Sequence, residues 1–188
     1  MKRLASAFCV LALALPAVSA SAADVAGVKL PDTVEVDGKT LRLNGAGLRK
    51  KAIFKVYVGA LYVETPSKDA STLLSSDQIK SMRLHMLRDV KGSSVSGAIS
   101  DGFELNSKAA MPQLQPRLDQ LAKMIPDVSD GETIFLTWIP EKGTQVAVRG
   151  TTVGTIEGRD FADALFAVWL GPKPVQDDLK QALLGSGS

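Results

Sequence analysis

Residues 52–63 read AIFKVYVGALYV, and this run constrains the fold more than any other stretch of the chain. It is rich in β-branched and aromatic residues, and apolar side chains occupy both parities. Successive side chains of a strand point to opposite faces of its sheet. A strand built from this run must therefore be covered on both sides. It reads as one or two central strands, ended by Pro66.

The flanking segments carry turn and helix signals. Val34 and Val36 alternate with polar residues, as do Leu41 and Leu43, and Asp37-Gly38 lies between them. Asp-Gly suits a two-residue hairpin turn, whose central positions want positive φ. Asn44-Gly45-Ala46-Gly47 interrupts the alternation and reads as a tight bend. Residues 67–75 predict a short helix and residues 82–87 a strand. Val95, Ala98, Ile99, Gly102 and Phe103 form a helical stripe. A second helix is expected over about 107–125, with Pro112 and Pro116 implying a late start or a kink. Strands over 133–139, 144–148 and 151–156 follow. A helix over 158–170, stopped by Gly171-Pro172, and a last helix over 175–184 close the chain. Hairpins and helices mix without regular βαβ alternation. That argues an α+β fold with a mainly antiparallel sheet and helices on one face.

The N-terminus has a different character. Lys2 and Arg3 precede the run LASAFCVLALAL at 4–15, then Pro16 and AVSASAA. A positive start, a short apolar core and small residues at small-x-small spacing define a secretory signal. The run is shorter than the about 20 residues that a bilayer span needs. The expected organisation is a cleaved signal peptide at 1–22 and one domain over 23–188, located in the periplasm or secreted. Cys9, the only cysteine, lies inside the apolar run and not at its end, which excludes a lipidation site. The mature chain then has no thiol for a disulfide, a thiolate metal site or a nucleophile. Without Lys2 and Arg3, the 22 basic residues fall to 20, equal to the 20 acidic ones. Such a balance gives no general pull toward nucleic acid. No transmembrane segment is expected after cleavage.

Few residues offer catalytic chemistry. His85 is the only histidine, which excludes a multi-histidine metal site. Its alternation with Leu84 and Met86 makes it a sheet-face side chain rather than a base. GAGLRK at 45–50 begins like a dinucleotide loop but lacks the third glycine and a following amphipathic helix. Asp177-Asp178 suits a helix start, and Arg88 with Asp89 reads as a structural ion pair. No metal or cofactor is called for. Arg49 follows the glycine segment and precedes the strand of Tyr57. On spacing alone Arg49-Lys50-Lys51 reads as a solvated basic turn. The alternative is a carboxylate anchor at the mouth of an apolar layer, where a guanidinium can donate two parallel hydrogen bonds.

LRLNGAGLRKKAIFKVYVGALYVE at 41–64 resembles the corresponding stretch of chalcone isomerase-like proteins. So do MRLHMLRDV at 82–90, GFELNSKA at 102–109 and GRDFADALFAVWLG at 158–171. The pieces stand in family order over nearly all of the mature chain and look most similar to the bacterial exported branch. The resemblance implies an open-faced β-sandwich with an apolar cleft between sheet and helices. Arg49 matches the catalytic arginine of the isomerases. Tyr57 stands where they have a threonine and Phe103 where they have a helix tyrosine. Their asparagine falls at about Ala110, and Ala162 replaces a second threonine. Most of the groups that orient an isomerase substrate are thus replaced. Arg49 with Tyr57 resembles instead the pair that holds the ligand carboxylate in the fatty-acid-binding branch, with Phe103 and Ala162 making the cleft more apolar.

Three functions follow. The first is an exported, non-enzymatic binding protein for a fatty acid or another apolar carboxylate. The second is an isomerase acting on a chalcone-like enone. The third is an interaction module of the cell envelope without a ligand.

Overall fold

The computed structural model describes residues 22–186. Except for its last residue, the expected signal segment lies outside the described residues, and Cys9 with it. Among the described residues nine strands form two antiparallel sheets. β1 (Ala22–Val25) and β2 (Val28–Pro31) make a small hairpin. The large sheet contains β3 (Thr33–Val36), β4 (Lys39–Lys51), β5 (Phe54–Val63), β6 (Lys80–Met86), β7 (Thr133–Ile139), β8 (Gly143–Val148) and β9 (Thr151–Ile156). Its spatial order is its sequence order, and every pairing is antiparallel. The result is a meander into which helices are inserted. α1 (Ala70–Ser75) lies between β5 and β6. α2 (Gly92–Ser107), a single 3-10 turn (Lys108–Ala110) and α3 (Met111–Met124) lie between β6 and β7. α4 (Arg159–Leu170) and α5 (Asp177–Leu183) follow β9.

The two-sided strand is β5. Leu61 and Val63 point into a core shared with the helices, beside Met82, Leu84 and Leu136 of the sheet and Phe103, Leu118, Phe161 and Leu165 of the helices. Val58, Ala60 and Tyr62 point the other way, into a second cluster with Leu41 and with Val28 and Leu30 of β2. The β1–β2 hairpin is thus the cover on the far face, and Tyr62 Oη donates to the Pro31 carbonyl at 3.0 Å. Its own turn, Ala26-Gly27, has both φ values positive, but the residue pair Ala-Gly is a weak turn signal in sequence.

The helices follow the expected pattern. α3 starts late, at Met111, so that Pro112 occupies its first turn, where a missing N–H costs nothing. Lys80 is fully buried on β6. Its ammonium donates to the carbonyls of Leu73, Leu74 and Ser76 at 3.0–3.2 Å and closes the C-terminus of α1. Burial pushes its pKa down.

The glycine segment is not a bend. β4 runs through it from Lys39 to Lys51, with register irregularities between Leu43 and Gly45 and between Arg49 and Lys50. The glycines serve a close approach by α5. A Cβ on Gly45 would lie 2.1 Å from the Ala182 carbonyl oxygen, and one on Gly47 2.5 Å from Ala182 Cβ. At the first irregularity Asn44 Nδ2 donates to the Leu183 carbonyl at 2.7 Å, and Asn44 Oδ1 accepts from Ser67 N–H at 2.7 Å. Arg88 and Asp89 also differ from expectation. They form no ion pair: Arg88 lies over the Phe54 ring at 4.7 Å, and Asp89 accepts from Asp130 N–H.

Candidate ligand-binding site

Between the helix-facing side of the sheet and helices α2 and α4 lies a cavity of about 350 Å³, within the size range of small-molecule sites. Pairing register builds its floor. Tyr57 is opposite Arg49 on β4 and Met86 on β6, and Gly59 is opposite Leu84. Tyr57, Leu84 and Met86 therefore share one face by the period-two rule. Val95, Ala98 and Ile99 of α2 and Val168 and Trp169 of α4 form the facing wall. Gly59 leaves room for its neighbours: a Cβ there would lie 3.4 Å from the Tyr57 ring and 3.5 Å from the Leu179 side chain.

The polar groups gather at one end. Trp169 Nε1 donates to Tyr57 Oη at 2.9 Å. An indole N–H can only donate, so this contact occupies a lone pair of the phenol oxygen and leaves its O–H free to donate elsewhere. Burial pushes the Tyr57 phenol above its ordinary pKa, while the Trp169 hydrogen bond and the Arg49 charge pull the other way. The phenol is therefore protonated at neutral pH and remains a donor. Arg49 is half-buried on the same wall. Its guanidinium donates to the Lys50 carbonyl and to Gln176 Oε1, the latter at 3.3 Å. Both acceptors are neutral, and Arg49 has no carboxylate partner among the described residues. Arginine carries five N–H donors, so capacity remains for an anion.

Gln176, just before α5, fixes this arrangement. Its Oε1 also accepts from Lys50 N–H at 2.9 Å, and its Nε2 donates to the Leu48 carbonyl at 3.1 Å. Lys51, Arg88 and Lys91 lie around the same cavity, and Asp89 is its one acidic lining residue. The arrangement can hold an anionic head at the Arg49–Tyr57 end and an apolar body along Leu84, Met86, Ile99 and Val168.

Of the four residues singled out from the sequence, two meet here and two do not. Arg49 and Tyr57 are cross-strand neighbours on the cavity wall. Phe103 and Ala162 are buried in the helix-side core, with Phe103 tilted against Phe161 at 5.4 Å between ring centres. Neither lines the cavity. Trp169 lies within the helix expected over 158–170, and Gln176 carries no sequence signal of its own. Neither residue's role follows from local spacing, because each reaches a strand far away in the chain.

The chalcone isomerase-like family model matches residues 22–185. The chain belongs to the chalcone isomerase-like family. Among solved structures it is similar to the fatty-acid binding protein AtFAP1 of Arabidopsis thaliana. That match has a TM-score of 0.68 at 17% identity and covers 85% of this chain and 93% of the other. At that identity the likeness establishes the fold: a curled antiparallel sheet with helices on one face. No curated protein sequence matches this chain.

Proposed function

We propose that this chalcone isomerase-like protein is an exported, non-enzymatic binding protein for a fatty acid or another apolar carboxylate. One observation carries the reading. Among the described residues, a half-buried arginine without a carboxylate partner stands opposite a tyrosine whose hydroxyl proton is freed by Trp169, at one end of an apolar cavity. Removing a carboxylate from water requires paired charge and hydrogen bonds, and Arg49 with Tyr57 offers both. The rest of the cavity need only exclude water. The similar Arabidopsis structure is named as a fatty-acid binding protein, which supports the reading. An isomerase would retain only Arg49 of the groups the resemblance implies. The positions expected to supply its hydroxyls hold Phe103 and Ala162, both in the core.

Organic extraction of the purified protein followed by mass spectrometry is expected to release a long-chain acid. The stripped protein should rebind such an acid and bind the matching alcohol at least about tenfold more weakly, since the alcohol carries no charge for Arg49. Failure to bind any acid ends the reading. Export is tested on protein recovered from the producing cells. An N-terminus at or near residue 23 is expected, and an intact Met1 would contradict it.

A further inference from the structure

The turn joining β4 to β5 breaks the pattern of the protein's other two-residue turns. Ala26-Gly27, Asp37-Gly38 and Arg149-Gly150 each place glycine second, with both φ values positive. The β4–β5 turn is Ala52-Ile53. Ala52 has φ +53°, a left-handed conformation disfavoured for a residue with a Cβ. The next position holds a β-branched apolar side chain that is 88% exposed, followed by Phe54 at 53%. Of the exposed large apolar side chains among the described residues, these are the two adjacent in sequence.

Positive charge surrounds them. Lys50 and Lys55 face each other directly across the two strands, a like-charge pairing that costs stability in an isolated hairpin. Lys51 pairs with Phe54, and Arg88 covers the Phe54 ring. Lys50, Lys51, Lys55 and Arg88 form no ion pair among the described residues. Apolar side chains at the tip with cations just behind them match the layering of a bilayer surface, where acyl chains lie beneath anionic headgroups. The patch is also continuous with the cavity, since Lys51, Phe54 and Arg88 line both.

We propose that the β4–β5 turn docks the protein on the surface of an anionic phospholipid membrane. Ile53 and Phe54 enter the headgroup–acyl boundary, and Lys50, Lys51, Lys55 and Arg88 engage the headgroups. Docking in this pose turns the Arg49 end of the cavity toward the lipid. The proposal concerns the outer surface and stands apart from whether the cavity takes a fatty acid, because it is read on phospholipid alone.

The test uses the protein as recovered from the producing cells and vesicles of phosphatidylcholine with or without phosphatidylserine. Wild-type protein is expected to co-float with anionic vesicles, and added salt should release it. Ile53→Ser/Phe54→Ser should weaken that binding by about tenfold or more, at about 25 cal/mol per Å² of apolar surface. Lys50→Gln/Lys51→Gln/Lys55→Gln should weaken it by on the order of 100-fold. An Ile53→Trp variant adds a reporter at the tip to the native Trp138 and Trp169, and its emission relative to wild type is expected to shift to the blue on anionic vesicles only. All variants are compared with the same N-terminus, near residue 23, so equal binding across them overturns the proposal. Equal binding to neutral vesicles, or no shift from Trp at the tip, overturns it as well.

Discussion

Arg49→Leu is expected to weaken binding of a long-chain fatty acid by roughly 30-fold or more, equivalent to about 2 kcal/mol. This is the lower end of the range for removing one partner of a buried charge pair. The loss should be specific to the head group. Affinity for the matching fatty alcohol should change by less than about threefold, because the alcohol has no charge for the guanidinium to meet. Arg49→Lys keeps the charge but not the planar fork, and an intermediate loss is expected. Titration of stripped protein by calorimetry or by fluorescence displacement measures all three. An equal loss for acid and alcohol would show that the substitution damages the cavity and not the anchor. No loss for either would remove Arg49 from the site. The distinction matters because Arg49 also donates to Gln176 and the Lys50 carbonyl. A melting temperature within a few degrees of wild type should accompany the binding loss.

Gly45→Val is expected to destabilise the fold by about 3 kcal/mol or more, above the usual range for overpacking. The atoms in the way are backbone: the Ala182 and Leu183 carbonyl oxygens at 2.1 and 2.6 Å from the added Cβ, and Gly185 N at 2.8 Å. No rotamer change can clear them. The end of α5 must lift, which breaks the Asn44–Leu183 hydrogen bond and loosens the buried Leu179 and Leu183. The residue before α5 is Gln176, which holds Arg49, so the same displacement should weaken acid binding. Gly97→Ala is the contrasting change. A Cβ at Gly97 meets nothing within 4 Å, and glycine inside a helix costs about 0.5–1 kcal/mol relative to alanine. That variant should be neutral or slightly more stable. Urea unfolding midpoints compare the two. A Gly45→Val midpoint close to wild type would mean that α5 does not hold this position against β4.

Much of the architecture was legible because its signals are local. The turn Asp37-Gly38 takes φ values of +52° and +74°, as its residue types demand. The two-sided run became β5, and the late start of α3 follows from Pro112. The glycine segment was misread for a physical reason. Local pattern cannot distinguish a glycine needed for chain reversal from one needed for a neighbour's approach. Gly45 and Gly47 are of the second kind, and the neighbour lies near the other end of the chain. Arg88 and Asp89 were misread similarly. Adjacent charges suggest a pair, but consecutive residues face different ways, and Arg88 found the Phe54 ring instead.

At the site the division is sharper. The residue order alone determined that Arg49 precedes a glycine-containing, tyrosine-bearing strand, and that this strand must be covered on both faces. Whether Arg49 belonged to a solvated basic turn or to a cavity wall was left open, because exposure is not a local property. Register decided it by setting Arg49 opposite Tyr57. Helix packing decided the rest: α2 and α4 stand off the sheet far enough to leave a cavity of about 350 Å³, and they bury Phe103 and Ala162 away from it. The contact that frees the Tyr57 hydroxyl comes from Trp169, 112 residues along the chain. Spacing encodes the period of a strand and the chemistry of a turn. It does not encode which distant side chain completes a hydrogen bond, because that depends on how the packed layers meet.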